Sequence, residues 1–352
     1  MSPSTIVLHI GAMKTGTSYL QSVLERNKEL LDARGVLWPG NSWKDQRLAT
    51  QDLLASGRKG TSDVKLWRPF TERLLSHRGE MSLVSMEFLS FAPADVVERA
   101  MASLAPARVR VVLTVRDLGR AIPAQWQESM QNMHDWSYAD YLQGIMSDQA
   151  VETREGRHFW VRQDWATILR NWQPWVQPDD LVVATLPPSG APTETLWLRF
   201  CAAVGLDPEG FDLEGFENDS LGAVSAELMH RVSAEARQRG FKPNEFMVFK
   251  RILAKRVLAK RRASEPSIVV PPEHREWLEE RSRRLVDEVR AVGPQVIGDL
   301  DDLIPRWRDR PAGSEAWELD AIGDSALLGA AVDGLFGMGS AVAKHPRGGA
   351  GR

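Results

Sequence analysis

The lysine in Gly11-Ala12-Met13-Lys14-Thr15-Gly16-Thr17-Ser18 decides what chemistry this stretch can support. Gly11 and Gly16 keep the G-x-x-x-x-G spacing of a loop that wraps phosphate with backbone N–H groups. The Lys-Ser/Thr pair that should follow the second glycine is replaced by Thr17-Ser18, and the loop's cation, Lys14, comes two residues before Gly16. A lysine after the second glycine reaches the β- and γ-phosphates of a triphosphate, and the next hydroxyl holds Mg²⁺. A lysine ahead of it sits beside a shorter anionic group. The loop follows the apolar run Ile6-Val7-Leu8-His9-Ile10 and precedes a helical pattern at Leu20, Val23, Leu24, Leu30 and Leu31 that Gly35 closes. Strand, glycine loop and helix N-terminus together make an anion cradle.

A second cation ends a second strand. Val109-Arg110-Val111-Val112-Leu113-Thr114-Val115 is rich in β-branched residues and stops at Arg116-Asp117. Many P-loop NTPases place a Mg²⁺-holding aspartate in that position. A guanidinium at the carboxyl end of a central strand suits a phosphate instead.

These two motifs resemble those of the PAPS-dependent sulfotransferase superfamily, in its bacterial single-domain form (PAPS is 3′-phosphoadenosine 5′-phosphosulfate). The resemblance spans roughly residues 5 to 305, with echoes at Trp126-Gln127-Glu128, Leu196-Trp197-Leu198-Arg199-Phe200 and Ser220-Leu221-Gly222. It implies PAPS as sulfuryl donor, the bisphosphate PAP as product, no metal, and in-line displacement onto a hydroxyl or amine. Lys14, Thr15, Gly16, Thr17 and Ser18 would hold the 5′-phosphosulfate, Tyr19 would pack on adenine, and Arg116 would hold the 3′-phosphate. The family places a serine eight residues beyond the arginine. Ala124 stands there in this chain, so Gln125 or a distant residue must supply the second ligand.

Sulfuryl transfer also needs a base for the acceptor's proton. Glu87 follows the apolar strand Met81-Ser82-Leu83-Val84-Ser85-Met86 among Phe88, Leu89 and Phe91, a desolvated setting that suits a general base. A core ion pair is the competing reading of the same residue. His9, inside the first strand, reads as a satisfied core histidine. His134 and His158 are alternative bases or acceptor-site residues, and Gln127 and Glu128 are further acceptor-site candidates. Six of the thirteen tryptophans lie between 126 and 175, dense enough for an aromatic pocket, although Trp165 and Trp172 sit at core spacing.

Strand and helix alternate along the chain: β at 5–10, α at 17–33, short helical pieces in 41–78, β at 81–86, α at 94–104, β at 109–115 and α at 119–133. A helix at 162–173, a strand at 181–186 and a helix capped by Thr193 follow. This order predicts an α/β, P-loop-type three-layer fold with a central parallel sheet flanked by helices. Residues 1–310 form the predicted α/β domain. Its part from 219 to 300 is mostly helical, with one strand-like run at Ile268-Val269-Val270, a basic helix from Lys250 to Arg262 and a charged helix at 272–291. Residues 311–352 form a tail, partly disordered, with a short apolar helix at 326–338.

Composition narrows the class. The 352 residues are 43% hydrophobic and 26% charged, with net charge −3, which gives no reason to expect nucleic acid as a partner. Cys201 is the only cysteine, so no intrachain disulfide can form. No uninterrupted run reaches the ~18 apolar residues of a membrane span, and the first strand leaves no room for a signal peptide, so a cytoplasmic location is expected. Partners are then a small-molecule, glycan or lipid acceptor. A P-loop small-molecule kinase and a non-catalytic nucleotide-binding protein are the alternatives.

Overall fold

The computed structural model describes residues 4–59, 64–192, 194–214, 220–307, 319 and 322–344. Thr193 and most of the predicted tail before and after its helix lie outside the described residues. In chain order the elements are β1 (Thr5–His9), α1 (Thr17–Arg26), α2 (Lys28–Ala33), β2 (Val36–Leu37), α3 (Trp43–Lys59), α4 (Trp67–Ser76) and β3 (Met81–Ser85). A 3₁₀ turn (Glu87–Leu89), α5 (Ala94–Leu104), β4 (Val109–Val115), α6 (Leu118–Met130), α7 (Tyr138–Met146), α8 (Arg154–Gln163) and α9 (Trp165–Trp172) come next. The chain continues with β5 (Leu181–Thr185), α10 (Glu194–Val204), α11 (Ala223–Gln238) and α12 (Pro243–Val248). A π-helix (Phe249–Val257), a 3₁₀ stretch (Leu258–Ser264), α13 (Arg275–Val292), β6 (Gln295–Ile297) and α14 (Asp324–Lys344) complete it.

The chain divides into two compact units. The first, Met1–Ala121 with Trp160–Phe216 and Trp277–Arg306, holds the sheet. The second, Ile122–Phe159 with Glu217–Glu276 and Trp307–Arg352, is helical.

All six strands are parallel, in the order β2-β3-β1-β4-β5-β6. Alternation sends Val7, Leu83, Val112 and Val182 to one face, where Tyr19, Leu20 and Leu24 of α1, Leu31 of α2 and Trp197 and Phe200 of α10 bury them. The intervening residues, such as Leu8, Val84 and Val111, face the other layer, in which α3 touches β3, α9 touches β4 and α5 packs on α3 and α9. This is the predicted three-layer parallel architecture. From β1 the chain goes to β2 and β3 on one side and to β4, β5 and β6 on the other. The switch point, where open α/β sheets bind ligands, lies between β1 and β4.

Several elements differ from expectation. The helix at 17–33 breaks at Asn27, whose side chain turns back to bond Val23 O at 2.8 Å. Ile268-Val269-Val270 forms no strand; the late strand is β6, only three residues on the sheet's open edge. The basic segment is π-helical and then 3₁₀, with Leu253, Ala254 and Leu258 on its buried side. The tail helix is 21 residues long, not 13, and is long and apolar enough to cross a membrane by length and composition alone. Asp333 interrupts its apolar run, which is why the run itself falls short.

Candidate functional site

In the sheet unit, parallel strands bring three predicted positions to one edge. The Gly11–Gly16 loop follows β1, Glu87 follows β3 and Arg116 follows β4. The loop first runs along β4, with Ile10 N donating to Val112 O at 2.9 Å and Ala12 N to Thr114 O at 2.8 Å. It then takes left-handed backbone at Gly11 (φ 28°), Lys14 (φ 66°) and Gly16 (φ 79°). A β-carbon on Gly11 would lie 2.8 Å from Thr114 Oγ1 and 3.0 Å from Thr17 Oγ1, so only glycine fits. Lys14 holds positive φ despite its side chain, a strain of about 1 kcal/mol or more. Gly16 is the N-cap of α1 and supplies no side-chain cap for the helix's opening amides.

Beneath the loop runs a buried polar chain. Thr15 Oγ1 donates to Ala12 O at 2.6 Å and meets Thr114 Oγ1 at 2.8 Å. Thr114 Oγ1 lies 3.0 Å from His9 Nε2, and His9 Nδ1 lies 2.7 Å from Ser85 Oγ. Thr15 has one proton and spends it on Ala12, so Thr114 must donate to Thr15. His9 Nε2–H must then donate to Thr114, and Ser85 must donate to Nδ1. Burial holds the neutral ring, lowering the His9 pKa to about 3. His9 is therefore a strut across β3, β1 and β4. Thr15's hydroxyl proton is spent on Ala12 O, so the hydroxyl has none to donate to an anion.

Arg116 Nη1 donates to Lys14 O at 3.2 Å, tying the two predicted cationic positions together. Its Nε is buried without a hydrogen-bond partner. Burial, and then Arg120, pull its pKa down to about 10, still fully charged near neutral pH. Asp117 does not pair with Arg116. It pairs with Arg120, which also donates to Pro187 O at 3.0 Å. Thr17 is buried, its Oγ1 likewise without a partner, while Ser18 is exposed. Tyr19, the adenine-stacking candidate, is packed in the core cluster with Leu20 and Trp197. Glu87 opens the 3₁₀ turn half-buried, and accepts a 3.2 Å hydrogen bond from Gln21 of α1, whose amide also bonds Ser85 O at 2.8 Å.

One loop contact has no sequence signal. Gln163, at the end of α8 and fully buried, donates through Nε2 to Met13 O at 2.8 Å. The two residues are 150 positions apart, and only the fold brings them together.

The remaining predicted residues belong to the helical unit. Gln125 is buried and its Oε1 has no partner. Gln127 is committed to the peptide of Leu221, donating to its carbonyl at 3.3 Å and accepting from its N–H at 3.0 Å. Glu128 accepts from Lys250 Nζ at 2.7 Å and Asn132 Nδ2 at 3.0 Å. His134 and His158 come together with ring centroids 4.7 Å apart, and His134 stacks on Trp136 at 4.2 Å. Trp136 in turn stacks with Tyr141 at 5.9 Å and carries Arg154 over its face at 5.5 Å. An open cleft of about 510 Å³ beside this cluster is lined by Trp136, Asp140, Gln143 and Arg154 among others. Of the six clustered tryptophans only Trp175 is exposed, so most of that density is core. Among the described residues no three His, Cys, Asp or Glu side chains converge as a metal site.

No protein-family model matches the chain, and no curated protein matches it. Among solved structures it is similar to a sulfotransferase from Alicyclobacillus acidocaldarius, at 13% identity and a TM-score of 0.39, over 70% of this chain and 99% of that one. A superposition that loose adds nothing to the reading of the site, which rests on the geometry above.

Proposed function

We propose that this chain is a PAPS-dependent sulfotransferase that moves a sulfuryl group to a hydroxyl or amine of a small-molecule, glycan or lipid acceptor. The carrying observation is that the displaced lysine and the strand-end arginine meet, with Arg116 Nη1 on the carbonyl of Lys14. Both stand at the sheet's switch point, where a triphosphate site would instead have a lysine after Gly16 and a metal-binding aspartate after β4.

The residues present fit such a donor. The uncapped start of α1, the Thr17 hydroxyl and the Arg116 Nε–H are unmet polar groups around one loop, and all three suit an anion. When bound, PAPS supplies a sulfuryl group carried on a phosphate leaving group. The loop amides, Thr17 and Ser18 would hold the 5′ end, and Arg116 the 3′-phosphate. Lys14 would stabilise charge at the sulfuryl oxygens and on the departing phosphate, without a metal in that role. Glu87, oriented by Gln21, would take the proton of the acceptor. A reducing cytoplasm suits a chain whose single thiol, Cys201, is buried.

Calorimetry tests the reading. PAP is expected to bind without Mg²⁺ and more tightly than ATP. Mg²⁺-dependent ATP binding with no PAP binding would move the assignment to a P-loop kinase.

A further inference from the structure

The outer face of α14 carries an apolar stripe. Leu328, Val332, Leu335, Phe336 and Val342 recur at helical spacing and are 65%, 41%, 72%, 75% and 69% exposed. The inner face is built for a different purpose. Leu327 and Ala330 are buried, and a β-carbon on Gly334 would lie 2.6 Å from Leu253 Cδ1. A β-carbon on Gly337 would lie closer still to Val257 Cγ2, so small residues let α14 lie tightly along the π-helix. Asp333, at mid-helix, pairs with Arg261. The helix is held sideways on its unit while presenting leucine, valine and phenylalanine outward.

The element it lies on is cationic. Arg251, Arg256 and Lys260 of the π-helix and its 3₁₀ extension are exposed. Other cations of the segment face inward, Lys250 to Glu128 and Arg262 to Ser220 and Ser267. We infer that this face of the helical unit docks in the plane of an anionic membrane surface, with the α14 stripe among the acyl chains and the exposed cations on lipid phosphates. A second copy of the chain is the poorer occupant. Two such faces brought together would oppose their exposed cations, a like-charge cost. A spanning orientation would require tearing Asp333 from Arg261 and the glycine face from the π-helix. The inference stands apart from the proposed enzyme activity and can fail without it.

Full-length protein should be titrated with unilamellar vesicles of phosphatidylcholine alone and of phosphatidylcholine with phosphatidylglycerol. Binding is expected to the anionic vesicles, and to weaken as salt is raised. Removing two exposed apolar anchors with Leu335→Asp and Phe336→Asp should weaken it at least tenfold. Arg251→Gln with Arg256→Gln and Lys260→Gln should weaken it about a hundredfold. All five positions are surface sites, and unchanged thermal unfolding would show that the variants fold. A Phe336→Trp variant should shift its emission to the blue and be quenched by brominated lipid. Three results would overturn the inference: no binding to anionic vesicles, binding that survives Leu335→Asp with Phe336→Asp, or a dimer that those changes dissociate in place of membrane binding. Resistance to alkaline carbonate extraction would overturn the in-plane orientation.

Discussion

Arg116 has one hydrogen bond made and one donor unmet, and a truncation would remove both. Its Nη1 donates to Lys14 O in the loop, and its Nε is buried without a hydrogen-bond partner. A charge-assisted hydrogen bond is worth roughly 1.5–3 kcal/mol, so Arg116→Ala should weaken PAP binding on the order of 10- to 100-fold. Comparison with adenosine 5′-phosphate separates the two effects. If Arg116 reads the 3′-phosphate, the ligand lacking it should lose little. If both ligands weaken equally, the arginine acts only through the loop. Arg116→Lys keeps the charge but not the planar fork, and should recover part of the affinity.

At the scale of elements, the loop is a strained connector held from three sides: β4 through Thr114, the strand end through Arg116 and α8 through Gln163. Lys14 carries a side chain at φ 66°, where glycine would be at ease. Lys14→Gly and Lys14→Ala both delete the cation, so both should lower turnover by about 10²–10³ if Lys14 stabilises transition-state charge. They should part in stability, with the glycine variant about 1 kcal/mol more stable than the alanine variant by urea unfolding. Equal stabilities would mean the loop relaxes out of that conformation. The loop was legible because its glycines and lysine are contiguous and flanked by a clear strand and helix. The strands β1, β3, β4 and β5 were legible as apolar, β-branched runs. The strands β2 and β6 were not, being two and three residues long with no periodicity to detect. The entry to α7 did carry a signal, the reciprocal Ser137–Asp140 capping box. Gln163 and the Thr114–His9 relay carried none, because a hydrogen bond across 99 to 150 residues leaves no local pattern.

At the scale of the molecule, one buried ring couples the stability of the sheet to pH. His9 is neutral in the fold, its pKa lowered by burial from 6.5 to about 3. In the unfolded chain it regains its ordinary affinity and takes a proton as pH falls through about 6.5. Between those two values the unfolded state therefore binds more protons than the folded one. Stability is full above pH 6.5 and declines as the solution is acidified, by up to about 1.4 kcal/mol for each pH unit. The ring cannot charge in place without cost, since Nδ1 accepts from Ser85 and a proton there would break the relay that supports Thr15. Glu227, held below its usual range by His230 and Arg231 despite its burial, loses its share only under more acidic conditions. The window from pH 6.5 to 5 is then where His9 stands out from the acids. His9→Gln keeps an amide within the sheet but cannot titrate there. Its baseline stability should be lower, yet its urea midpoint should fall less steeply than that of the natural chain between pH 7 and 5. Parallel slopes for the two proteins would show that His9 takes up its proton without unfolding the sheet, and the relay would then have to rearrange around an imidazolium.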